Sequence, residues 1–179
     1  GGTLDMPERH RSLRAIFDYS WHLLDAREQK ILARLSCLRG SFTREAALSV
    51  SGASLLQLAS LVDRALVKRD EGQLQPRYGL HPRYMLLETV RQFATEQLSL
   101  LGEVYVTQQR HADYFSLLLA RHLPDLLGGQ QHKVAYEIHS QLENIRSAWQ
   151  WCEENLIANP TLIAYVERSL DALFHFWDM

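Results

Sequence analysis

Residues 25–69 read DAREQKILARLSCLRGSFTREAALSVSGASLLQLASLVDRALVKR, and their punctuation decides the fold. Asp25 followed three residues later by Glu28 is a capping box, so a helix starts here. Ile31, Leu32, Leu35 and Leu38 recur at helical spacing and predict its buried face, with Arg39-Gly40 as the stop. Thr43 then caps a short helix that points Ala46, Ala47 and Val50 inward, and Ser51-Gly52 breaks it. Ser54 opens LLQLASLVDRAL, with Leu55, Leu58, Leu61, Val62 and Leu66 on the apolar side.

Outward from this core, Leu66–Arg69 reads as a strand leaving the last helix, and Asp70-Glu71-Gly72 as a turn. Tyr84–Leu87 reads as the return strand after a long loop bearing proline. Upstream, Leu13, Ile16, Phe17, Ser20 and Trp21 mark one face of a first helix that ends at Leu23-Leu24. Helix, helix, short helix, helix, hairpin and helix is the layout of a winged helix. The expected fold class is mainly α: a winged-helix domain with a short β-hairpin wing over residues 1–100, followed by an α-helical arm over 101–179.

Everything after residue 88 reads helical. One helix runs from Glu88 to Leu101 with Gly102 as its stop, and another from Glu103 to about His122. Pro124 and Gly128-Gly129 make a break. A long helix follows from about Gln131 to Leu156, Asn159-Pro160 punctuates it, and a last helix spans Thr161 to Trp177. That helix ends on Leu173, Phe174, Phe176 and Trp177, an apolar patch that needs a neighbour. With Gly1-Gly2 in front, the expectation is a piece of a longer protein. Trp149 and Trp151 cannot share a helix face, so Trp149 or Ile145 is expected inside, with the other indole near an interface.

The bulk composition fits a globular chain: 179 residues, 46% hydrophobic, 22% charged, formal net charge −2. Charge is uneven, since residues 1–90 hold 13 Lys/Arg against 10 Asp/Glu and residues 91–179 hold 6 against 11. Two units with different surfaces follow from this. No apolar run approaches the roughly 20 residues of a transmembrane helix. Cys37 and Cys152 lie in separate helical patterns and read as reduced thiols of a cytoplasmic protein.

Catalytic signals are few. GGQQHK, residues 128–133, lacks the spacing and the hydroxyl of a phosphate-binding loop. His132, His139 and Glu143 share a helical face but offer no fourth ligand for zinc, so no metal is expected. Neither cysteine has a local histidine to activate it. The expectation is therefore no enzyme within these residues.

Winged helices suggest DNA, but the reading helix is poorly equipped for it. Its candidate exposed positions are Gln57, Ser60, Asp63 and Arg64, which carry one positive and one negative charge. Phosphate neutralisation would be weak. Arg69, Arg77 and Arg83 near the wing could touch a backbone, though a solvated loop edge is the plainer reading. A DNA-binding winged-helix transcriptional regulator with a helical dimerisation or sensing region stands as the alternative function.

Several blocks carry a family resemblance. SLRAIFDYSWHLLDAREQ (12–29), LARLSCLRGSFTREAA (32–47), SLVDRALV (60–67) and RYMLLETVRQFATEQL (83–98) resemble the winged-helix domain of bacterial STAND signal-transduction ATPases. Those ATPases are relatives of NB-ARC proteins and of the maltose regulon activator. HADYFSLLLA (111–120) and LENIRSAWQWCEEN (142–155) resemble the helical segment that precedes a TPR-like sensor array. The resemblance covers most of residues 8–157.

It implies a non-catalytic lid and lever that couples an upstream nucleotide-binding domain to a helical sensor. ADP or ATP would be bound in the full-length protein, not in this piece. The piece itself would be monomeric, and the full-length protein would oligomerise when an inducer acts.

The family's sensing triplet, Met-His-Asp, falls on Leu86, Leu87 and Glu88. The phosphate-sensing histidine is therefore missing, and Glu88 also suits a helix start. His81 is a displaced candidate, but Pro82 and the distance to the helix place it in the wing loop. Leu87, Glu88 and His81 are the candidate nucleotide-sensing positions, and the segment 77–98 reads as the hinge between lid and arm.

Overall fold

A computed structural model describes residues 6–70 and 82–178. The order of elements is α1 (Met6–His22), α2 (Ala26–Leu35), β1 (Ser41–Thr43), α3 (Arg44–Ser51), α4 (Leu55–Asp63), β2 (Lys68–Asp70), β3 (Arg83–Met85), α5 (Glu88–Leu100), α6 (Val104–Leu126), α7 (Gln131–His139), α8 (Leu142–Asn155) and α9 (Ile163–Trp177). A single 3-10 turn, Pro160–Leu162, leads into α9. The chain is mainly helical, with a winged-helix fold carrying a small antiparallel sheet.

The helix-start signals act as expected, but α2 stops at Leu35 with Ser36 as its cap, before the expected Arg39-Gly40, so Leu38 lies beyond the helix. Asp25 accepts from the backbone N–H groups of Arg27 and Glu28, and Glu28 answers through the Asp25 N–H. Thr43 caps α3 through Ala46, and Ser54 with Gln57 forms a second capping box on α4. These bonds use backbone donors that would otherwise lack partners. At the other ends, Gly52 and Gly102 have positive φ, and so does Gly40 beyond α2. Ile31, Leu32, Leu35, Leu38, Ala46, Ala47, Val50, Leu58 and Leu61 are buried.

The sheet holds one strand more than the hairpin. β3 is central, pairing antiparallel with β2 and with β1, so that Tyr84 faces Arg69 on one side and Phe42 on the other. β1 was hidden because its last residue, Thr43, is also the cap of α3. Phe42 is fully buried and its ring stacks on Tyr84 at 6.3 Å.

Other boundaries moved for tertiary reasons. The helix starting at Ser54 ends at Asp63 rather than running to Leu66, because Ala65 takes a left-handed turn at φ 57°. Leu66 and Val67 then donate to the Leu61 carbonyl and close the α4 terminus. Pro124 sits inside α6, and the break falls after Leu126. The predicted helix 131–156 is two helices, α7 and α8, interrupted at Ser140-Gln141. Ser140 donates its hydroxyl to the Glu137 carbonyl, while its own carbonyl accepts from Arg83 of the wing. Competition from a distant arginine is not visible in a local pattern.

The first helix also turns differently from its expected face. Phe17 and Trp21 pack on Phe93 of α5, at 6.1 and 5.8 Å between rings, whereas Ile16 is exposed. Ile145 is buried, Trp149 donates to the Ser169 hydroxyl on α9 at 3.0 Å, and Trp151 lies edge-on to Tyr105. One apolar core runs without interruption from Leu24 through α6, α8 and α9 to Leu173. Among the described residues, no single helix is long and apolar enough to cross a membrane.

Candidate interaction surface and interdomain contacts

In a helix-turn-helix reader, the second helix of the motif faces the major groove, and here that helix is α4. Its polar residues are already used locally. Gln57 completes the Ser54 capping box, and Ser60 donates to Glu28 at 2.6 Å. What remains outward is Leu55, Leu56, Asp63 and Arg64, with Leu56 83% exposed. Leu55 was expected on the buried side of α4 and is instead half-exposed. The face is an apolar knob flanked by one charge of each sign. Leu56 escaped sequence reading because an apolar residue beside buried leucines looks like core, and only the turn of the helix shows otherwise.

The wing arginines separate into three cases. Arg69 is exposed on β2. Arg77 lies outside the described residues. Arg83 is no solvated loop edge: it is buried, and its guanidinium donates to the Ser41 hydroxyl and carbonyl and to the Ser140 hydroxyl and carbonyl, at 2.7 to 3.2 Å. Burial pushes its pKa down, and Asp70, opposite it in the β2–β3 register, partly offsets that. Every one of these bonds is internal, so the side chain is not free to meet a phosphate.

Two of the three nucleotide-sensing candidates lie among the described residues. Leu87 is exposed and precedes α5, where it makes no side-chain capping bond. Glu88 opens α5 and accepts from Arg91 at 2.8 Å and from Gln92 at 2.9 Å. These bonds hold its carboxyl below the ordinary pKa. Helix-start chemistry accounts for both contacts. His81 lies outside the described residues.

His132, His139 and Glu143 do not share one helix. The break at 140–141 puts His139 at the end of α7 and Glu143 at the start of α8. Among the described residues, no group of three His, Cys, Asp or Glu side chains could hold a metal ion. Both cysteines are buried and unpaired; burial raises both thiols, Cys37 to about 12.

A buried polar cluster that sequence reading passed over joins the wing to the arm. Asn144 on α8 accepts from the Arg39 N–H and donates to the Arg39 carbonyl, each at 2.7 Å. His111 of α6 lies against the same amide oxygen at 3.3 Å and is fully buried, which lowers its pKa to about 4. Lys30 and Arg34 on α2 reach Glu103 at 3.8 and 2.7 Å. A sequence signal for Asn144 did exist: it lies on the same helical stripe as Ile145, Ala148 and Cys152, a polar residue on a buried face.

These features define a winged helix-turn-helix within a mainly helical chain, and comparison with known proteins agrees on the winged helix. Residues 24–99 match the Winged helix-turn-helix domain family. The chain is 36% identical over 162 residues to proteins of Mycobacterium bovis and of two Mycobacterium tuberculosis strains, each provisionally named an HTH-type transcriptional regulator. The alignment covers 87% of this chain and 18% of each relative. The chain thus spans less than a fifth of the length of the curated relatives it matches. No solved structure matches. Transcription regulation, expected as the alternative, is the reading these relatives favour; they lend nothing to a STAND ATPase, an NB-ARC relationship or a TPR-like array.

Proposed function

We propose that this chain is the winged-helix and arm portion of a large transcription regulator, and that its winged helix contacts another protein surface of that regulator. The regulator assignment is supported by the family match and by the names of the mycobacterial relatives. The contact role rests on one observation: the outward face of α4 is Leu55 and Leu56 beside Asp63 and Arg64. An exposed leucine pair gains by burial against protein, about 1.5–3 kcal/mol per side chain. It offers no donor or acceptor to base edges.

Direct DNA binding is the second reading. The helix-turn-helix class supports it, as do the exposed Lys68 and Arg69 on β2. A mobility-shift titration of this chain on random duplex at low ionic strength separates the two. No shift is expected for a contact module. A shift that weakens steeply with salt assigns the winged helix to DNA.

Within either reading the portion is non-catalytic, and its location is cytoplasmic. An inducer-driven, nucleotide-binding domain elsewhere in the protein, as the STAND resemblance implies, would meet this portion at the exposed Leu87-Glu88 step. That coupling is tested by ADP retention in the full-length protein with Leu87→His. Tighter retention supports it, and unchanged retention removes Leu87 from the mechanism.

A further inference from the structure

We propose that the winged helix and the helical arm move as one rigid lever, clamped where the α2–β1 loop meets the α7–α8 break, and that no hinge lies between them. The charge asymmetry and the class of α4 contact do not enter this inference, which holds for a protein-contact or a DNA-contact winged helix alike.

The clamp has two adjacent pins. At Arg39, the Asn144 amide engages both backbone groups of one residue, as a neighbouring strand would. Two residues on, Ser41 is tied to Ser140 through the Arg83 guanidinium, which bonds both hydroxyls and both carbonyls. Between the pins Gly40 takes φ +57°, and a Cβ placed there would come within 2.7 Å of the Glu143 carboxylate. The α2–β1 loop is thus shaped to the start of α8.

A pair of neighbouring pins would still permit rotation about the line through them. The Arg34–Glu103 ion pair, made from α2 to the residue before α6, is a third tie at a separate place and opposes that rotation. Bending at the α5–α6 turn would pull Asn144 off Arg39. Pivoting on the Asn144 clamp would pull Glu103 off Arg34. Bending strands buried polar groups, because Arg83, His111 and Asn144 are all buried, and pivoting breaks a partly exposed ion pair. Motion of α4 is then delivered undiminished to α9, some eight elements along the chain. Any bistable joint of the parent protein lies outside residues 14–70 and 82–178.

Spin labels at two exposed positions, Lys68→Cys on β2 and Gln150→Cys on α8, read this directly in the full chain by electron–electron double resonance. The native thiols are buried and slow to label. The expected wild-type result is one narrow distance distribution. Asn144→Ala and Arg83→Met should each at least double its width, with helical circular dichroism retained. Glu103→Gln, at a partly exposed site, gives a third reading that does not threaten folding and should also broaden it. A broad or two-peaked wild-type distribution overturns the proposal, as does an unchanged width in the variants that fold.

Discussion

The Asn144 side chain holds the backbone of Arg39 across 105 positions of sequence, taking its N–H and giving to its carbonyl at 2.7 Å each. A loop that follows α2 is thereby finished by a residue of α8. Removing the amide leaves both Arg39 backbone groups and the His111 ring without this partner.

Asn144→Ala should therefore cost more than an average point change. Leaving buried donors and acceptors unmade costs about 1–3 kcal/mol each, so a loss of about 3 kcal/mol in urea unfolding is expected. A loss under about 1 kcal/mol would mean water replaces the amide without penalty.

His111 makes stability depend on pH with a definite sign. Burial depresses its folded pKa to about 4, below an ordinary value of 6.5, so the unfolded chain binds the proton first. Stability is fully present above about 6.5, falls as pH drops from there to about 4, and levels off below for this group, by up to about 3 kcal/mol. His111→Gln should flatten that slope in unfolding midpoints taken across the window.

Two of the positive-φ turns should respond in opposite directions. Gly40→Ala puts a Cβ at φ +57° and against Glu143, and a destabilisation of about 1 kcal/mol or more is expected. Ala65 already bears that strain at φ 57°, so Ala65→Gly should be neutral or stabilising by up to about 1 kcal/mol, read as thermal midpoints.

Leu56→Asp should leave folding intact, since the side chain is largely in water and surface changes usually fall within about 0.5 kcal/mol. Under the proposed function, the same change in the full-length protein should reduce transcriptional output. Wild-type output with normal stability would remove α4 from the contact.

The thiols should be slow to modify. Cys37 is raised to about 12 by burial and Cys152 is raised in the same way, so neither forms thiolate readily near neutral pH. Both should react with a thiol reagent at least tenfold faster in denaturant than in the native chain.

What the sequence determined by itself was local. Asp25, Thr43 and Ser54 start helices through bonds to residues two or three positions away, and Gly52 and Gly102 stop helices by tolerating positive φ. Periodicity named most of the buried leucines because apolar side chains at helical spacing share one face whichever element covers it, and the winged-helix order followed. Tertiary structure decided whatever depended on a distant partner. β1 exists because β3 pairs with it, α7 and α8 part where Arg83 takes the Ser140 carbonyl, and Leu56 is outside only because nothing packs on that side of α4. Arg83 illustrates the limit most plainly. In sequence it is one cation among several near a loop, and the four acceptors that bury it lie 42 and 57 positions away.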